Sequence, residues 1–342
     1  MSLSRQVLRR YGYVCTALLV CSLPIFAQEN GTRRIRVLHI TEPINIDGRL
    51  DEPSWSQADT ATHFRQQEPN EGEPATEKTE VRLLFDDKNL YVSVHAFDAE
   101  PSRINSRELV RDATFSNDDK VEILLDTYHD RRNAYRFAVN PLGTQQDALI
   151  TDEGRDVNLS WDAPWLSAGR TDETGWIVEI AIPLTTLRFT EGADTWGLNF
   201  ARIIRRKNEE NLWTSWQRSF GLERVSQAGE LNGVDEIKRR RLLEVKPYAS
   251  GGGRKGVPLI GEPGFNAGLQ AKAGLEVAKI SLTAEFTANP DFGQAEVDTQ
   301  IVNLTRFSVF FPEKRDFFLE NAGIFLFGRA EANQLFFTRR TH

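Results

Sequence analysis

Residues 117–143 read NDDKVEILLDTYHDRRNAYRFAVNPLG, and this stretch limits the fold more than any other. Val121, Ile123 and Leu125 alternate with Glu122, Leu124 and Asp126; Tyr135, Phe137 and Val139 alternate with Ala134, Arg136, Ala138 and Asn140. A period of two built from β-branched and aromatic residues predicts two half-buried antiparallel strands. The charged run 129–133 is too polar for a core and makes the turn. Pro141 stops the second strand, because proline cannot continue a ladder. Carboxylates gather at both ends of the first strand: Asp118, Asp119 and Glu122 at one, Asp126 and Asp130 at the other. Such ends can position a polyol or a hard cation, and they can equally be solvated turns, since Asp and Asn favour turns for local backbone reasons.

The same texture recurs along the chain. Residues 35–39 predict a first strand, and Asp51 a cap for a short helix that turns Trp55 and Ala58 inward. A hairpin follows over 81–97 with its turn at 86–89. Further strands are expected at 147–150, 175–183, 196–204 and 212–216. Short strands with turn signals about every ten residues, and almost no helix, describe an antiparallel β-sandwich. The net charge of −7 carries no long basic run, so a nucleic-acid partner is not expected.

The N-terminus has a different character. Arg5, Arg9 and Arg10 precede an apolar run over 14–26, followed by Ala27-Gln28. A basic region, a short apolar stretch and a small residue before a cut describe a secretory signal peptide over 1–27. Cys15 and Cys21 both lie inside it, so the mature chain would have no disulfide. An exported protein stabilised by core packing alone is expected.

Four segments, INIDGRLDEPSW, residues 117–143, WDAPW and GWIVEIAIPLTTLRF, together resemble the family 9 carbohydrate-binding-module fold over 35–237. More narrowly, they resemble its copy at the front of a group of bacterial outer-membrane proteins. Beyond residue 238 the texture changes. Residues 266–276 and 279–289 alternate small or polar with apolar positions over eleven-residue runs, which fits the wall of a transmembrane β-barrel about 25 Å tall. An exposed face of a soluble sheet is the rival. FSVFFPEKRDFFLENAGIFLFG, with the preceding ANPDFGQAEVD, resembles the DUF5916-type outer-membrane barrel domain. Residues 238–342 would be its N-terminal part, and the resemblance implies a fragment of a longer protein. An outer-membrane location with the sandwich in the periplasm follows as an expectation.

Sugar binding needs aromatic platforms. A pyranose face stacked on an indole buries about 100 Å², worth roughly 2.5 kcal/mol before entropy costs. Trp161, Trp165, Trp213 and Trp216 are the candidates, with Arg111, Asn140 and Gln217 as hydrogen-bonding partners. Trp55, Trp176 and Trp196 are expected in the core. In the resembled family a tryptophan pair clamps the sugar, and structural calcium is common. Asp118, Asp119, Asp126 and Asp130 offer hard oxygen ligands for it. No other cofactor is expected. The sequence holds no GxSxG elbow, HExxH helix or P-loop. Catalysis is therefore not expected, and any link to O-glycosyl hydrolysis would be through association of the module with a hydrolase. Capture or passage of a glycan, or a structural plug or assembly role for the barrel, are the two functional expectations.

Overall fold

The computed structural model describes residues 32–238, together with later backbone strands at Leu243–Gly251, Phe265–Val277, Ile280–Ala288, Val309–Phe310 and Arg340–Thr341. The expected signal segment with both cysteines, and the charged interruption at 312–316, lie outside the described residues.

In chain order the elements are β1 (Arg34–Arg36), β2 (Leu38–His39), α1 (Pro53–Gln57), β3 (Thr60–Ala61), β4 (Arg65–Glu68), β5 (Thr79–Phe85), β6 (Asn89–Phe97), β7 (Lys120–Asp126), β8 (Ala134–Val139), β9 (Gln145–Thr151), β10 (Asp156–Asn158), β11 (Leu166–Thr171), β12 (Gly175–Pro183), β13 (Thr195–Ile204), β14 (Glu209–Leu212) and β15 (Gly229–Asn232). They form the two sheets of a β-sandwich. One runs β1-β15-β13-β7-β8-β9-β10, with β14 bridging β13 to β4; the other runs β11-β12-β6-β5-β2, with β3 on β5. Pairing is antiparallel except for β1 with β15 and β2 with β5. The single strand expected over 35–39 is thus two: the chain changes sheets at Val37. The strand expected over 212–216 ends at Leu212.

Between the sheets lies the main core. Val121, Ile123 and Leu125 meet Tyr135, Phe137 and Val139 there, as the alternation required. Trp176 and Trp196 are fully enclosed in it. Trp55 is also buried, but on the outer face of the second sheet, in a separate cluster with Ile40, Ile44, Leu84 and Tyr91. Helix α1 starts at Pro53 with Glu52 as its N-cap residue, and no side chain caps it. The Glu52 carboxylate accepts the Asn45 N–H at 2.9 Å instead.

The outer face of the first sheet is covered as well, so β7 and β8 are buried on both sides. Leu222 and Val225 pack over Leu124, Ala134 and Ala148. Two ion pairs lie under this cover, Lys120 with Glu122 and Arg136 with Glu223, each at 2.8 Å.

Later in the chain, β16 (Leu243–Gly251), β17 (Phe265–Val277) and β18 (Ile280–Ala288) form an antiparallel three-stranded sheet. Val309–Phe310 and Arg340–Thr341 pair with each other.

Candidate functional site

Asp147 sits on β9 beside Phe137 of β8, on the side facing the second sheet, where its neighbours Gln146 and Ala148 face outward. It is fully buried. Arg111, from the long β6–β7 connection, reaches it. Its Nη2 donates to Asp147 Oδ1 at 2.9 Å, Asp162 Oδ1 at 2.6 Å and the Ala163 carbonyl at 2.7 Å. Its Nη1 donates to Gln145 Oε1, and its Nε lies 3.3 Å from Asp112 Oδ2. The second Asp147 oxygen accepts the Ala163 N–H at 2.7 Å. Burial pushes the Asp147 carboxyl up to about 7, against the opposing pull of Arg111 and that N–H. Trp161 lies alongside, its ring 5.1 Å from Tyr135 and edge-on to Phe137 at 6.0 Å. The result is a partly exposed indole that directly precedes the exposed carboxylate of Asp162, which the guanidinium holds. An aromatic ring beside a fixed, exposed carboxylate is the kind of surface that a polyol recognises.

Local chemistry builds this edge. Asp118 Oδ2 accepts the Arg107 and Glu108 N–H groups at 2.9 and 2.8 Å and Asn140 Nδ2 at 2.9 Å. Asn140 Oδ1 in turn accepts the Leu142 and Thr144 N–H groups, and Thr144 Oγ1 donates to the Glu108 carbonyl at 2.7 Å. The β6–β7 loop is thereby fastened to the β8–β9 turn. That turn presses on β11: a Cβ on Gly169 would stand 2.4 Å from the Pro141 carbonyl oxygen, and one on Gly143 2.8 Å from the Gly169 nitrogen. Only glycine permits the approach.

Of the residues singled out in the sequence, the fold brings together Arg111, Trp161 and Trp165. Trp165 is core, however. It is 4% exposed and edge-on to Phe137 at 5.3 Å, so neither ring face is open. Trp213 is likewise core, 3% exposed and packed against Phe200. Trp216 lies apart, against the outer cluster of the first sheet, with the Arg33 and Arg65 guanidinium groups 5.3 and 5.2 Å from its ring. Gln217 offers its carbonyl to Gln67 Nε2 at 3.0 Å. Asn140 is fully buried, and both ends of its amide are engaged in the turn described above. It is a scaffold residue rather than a ligand contact.

The four carboxylates proposed for calcium do not converge. Asp118 and Asp119 precede β7, Asp126 is its last residue and Asp130 lies beyond it, so about 20 Å of strand separates the two groups. Asp119 Oδ1 accepts the Arg205 N–H at 2.9 Å. Asp126 accepts the Asp130 and Arg131 N–H groups, and Asp130 those of Arg132 and Asn133. Burial pushes Asp119 and Asp126 up to about 6 each. Among the described residues, the carboxylates that do converge are Asp112, Asp147 and Asp162, whose ligand atoms lie within 4.8 Å of one another. The guanidinium of Arg111 bonds to that group, so it does not fit a cation as it stands. The sequence signal for it was faint: one aspartate interrupting the strand QQDALIT.

Residues 46–223 match the family model described as carbohydrate family 9 binding domain-like, and residues 240–341 match that of a domain of unknown function, DUF5916. No curated protein matches the chain. Among solved structures, the chain is similar to a carbohydrate binding module family 9 from Caldicellulosiruptor kristjanssonii in complex with cellotriose. That match has 18% identity, 61% of this chain and 100% of that one covered, and a TM-score of 0.42. The complex of a family 9 module from the same organism with glucose gives 20% identity, 61% and 97% coverage, and a TM-score of 0.41. The first family match takes in more than half of the sequence, and the chain therefore belongs to the carbohydrate family 9 binding domain-like family.

Proposed function

We propose that the protein is exported to the outer membrane, where its sandwich captures a glycan at the loop edge around Arg111 and Trp161. One observation carries the binding site: a partly exposed indole directly precedes an exposed carboxylate, Asp162, that a fixed guanidinium holds through one oxygen. Membership of a carbohydrate-binding-like family supports the choice of ligand class. Export is supported by the basic and apolar N-terminus. A membrane barrel is supported by long antiparallel strands with dyad alternation over Phe265–Val277 and Ile280–Ala288.

Isothermal titration of the full chain against glucose, cellotriose, xylotriose and maltotriose tests the reading. Binding in the micromolar to millimolar range is expected with at least one of them. Trp161→Ala should weaken it tenfold or more, from loss of roughly 2 kcal/mol of stacking. No heat with any saccharide overturns the binding site. The second reading, a sandwich that only braces or plugs a barrel, is favoured by one finding, the burial of Trp165 and Trp213. A lower melting temperature for Trp161→Ala, with no ligand response in either protein, would select it.

A further inference from the structure

Six large apolar residues are exposed among the described residues, and five of them lie in, or directly after, the three loops around Arg111. Leu109 and Val110, 75% and 66% exposed, are next to Arg111 on the β6–β7 loop. Leu142 is in the β8–β9 turn, Leu159 in the β10–β11 loop, and Leu166, 64% exposed, opens β11. Hydrogen bonds make these loops one edge. Thr144 Oγ1 donates to the Glu108 carbonyl at 2.7 Å, Ser167 Oγ to the Gly143 carbonyl at 2.7 Å, and Gln145 Nε2 to the Trp165 carbonyl at 3.0 Å. Scattered single apolar side chains on a surface need no explanation, but a concentration of them rimming a polar group marks an interaction site.

Resting on the carbohydrate reading of the Arg111 site, we infer that the ligand is an amphiphile: a sugar carrying an alkyl or acyl chain. The sugar ring lies on Trp161, within reach of Arg111 and Asp162, and the chain runs over the aliphatic edge formed by Leu109, Val110, Leu142 and Leu166. A plain glycan leaves those four side chains in water. An apolar substituent removes them from it, and each methylene buried is worth about fourfold in affinity.

The test compares methyl β-D-glucopyranoside with n-octyl β-D-glucopyranoside, kept below its micelle concentration, on the full chain. The octyl glucoside should bind at least tenfold more tightly. In Leu109→Ser/Leu166→Ser that advantage should fall to less than about threefold, while the methyl glucoside keeps its wild-type Kd and the melting temperature is unchanged. Equal affinities of the two glucosides in the wild-type protein overturn the inference and leave the sugar site standing. A tenfold advantage that survives the double substitution also overturns it, because the chain then lies elsewhere. Octyl glucoside binding that is indifferent to Trp161→Ala, with no methyl glucoside binding, overturns the sugar reading as well and leaves a plain apolar docking edge. Absence of binding by either glucoside, alongside a silent saccharide panel, removes both.

Discussion

Single side chains in this protein show how one residue type serves two ends. Aspartates flank β7 on both sides, and by composition each is equally a turn-former or a metal ligand. The fold makes them turn-formers: Asp118 holds three donors from two loops, and Asp126 closes the β7–β8 turn. Asp118→Ala should therefore cost about 2–4 kcal/mol, the sum of several lost buried hydrogen bonds. Urea denaturation should give the same loss in excess calcium and in a chelator. A loss that appears only with calcium present would make Asp118 a ligand after all. Tryptophans divide in the same way. Trp176 and Trp196 sit on alternating strands, where the period fixes an inward direction. Trp161, Trp165 and Trp213 sit in or beside loops, where no period applies, and only packing decides which ring stays open.

At the scale of elements, the covering segments matter as much as the strands. The segment carrying α1 lies on the outer face of the second sheet, and Glu179 of β12 fastens it there. One of its oxygens accepts the Asp47, Gly48 and Arg49 N–H groups at 3.0, 2.9 and 3.2 Å; the other accepts Trp55 Nε1 at 3.0 Å. Burial pushes this carboxyl up to about 7 although four donors favour its ionised form. A glutamine there can accept on one side only, leaving its amide NH₂ against an N–H donor. Glu179→Gln should lose about 1–3 kcal/mol at pH 8. Combining it with Trp55→Phe, which removes the opposed donor, should cost less than the two single changes added together. Strict additivity in a double-mutant cycle would contradict this latch. The glutamate was visible in the sequence only as a polar member of the strand GWIVEIAIP. Its partners lie about 130 positions away, and no local pattern records such a distance.

For the whole molecule, several buried carboxyls have the same sign. Asp119 and Asp126 are raised to about 6, Asp147 and Glu179 to about 7, each chiefly by burial. Their ordinary values are 3.8 for the aspartates and 4.5 for Glu179. Between those values and the raised ones, the folded state binds more protons than the unfolded state. The stability these groups contribute is fully present below about pH 4 and is lost as pH rises through 6 to 7. Glu80, Asp152 and Asp172 are lowered and act in the opposite sense, closer to the surface. Urea midpoints should fall from pH 5 to pH 8, and Asp147→Asn should flatten part of that fall. A midpoint that climbs over this range would contradict the burial of these four groups.

Read along the chain alone, the alternation is the strongest signal. It set the sandwich class, the inward faces of β7 and β8, and the burial of Trp176 and Trp196, because a period of two assigns each side chain a face as soon as one face must be apolar. The resemblance to the family was legible for the same reason, since its motifs are strands and turns. The site, by contrast, comes from packing. Arg111, Asp147 and Asp162 come from three segments joined by long-range hydrogen bonds, and the closeness of the β8–β9 turn to β11 depends on two glycines 26 positions apart, Gly143 and Gly169. Contacts of that kind follow from how two sheets stack and where their loops cross. Periodicity along one strand carries no information about either.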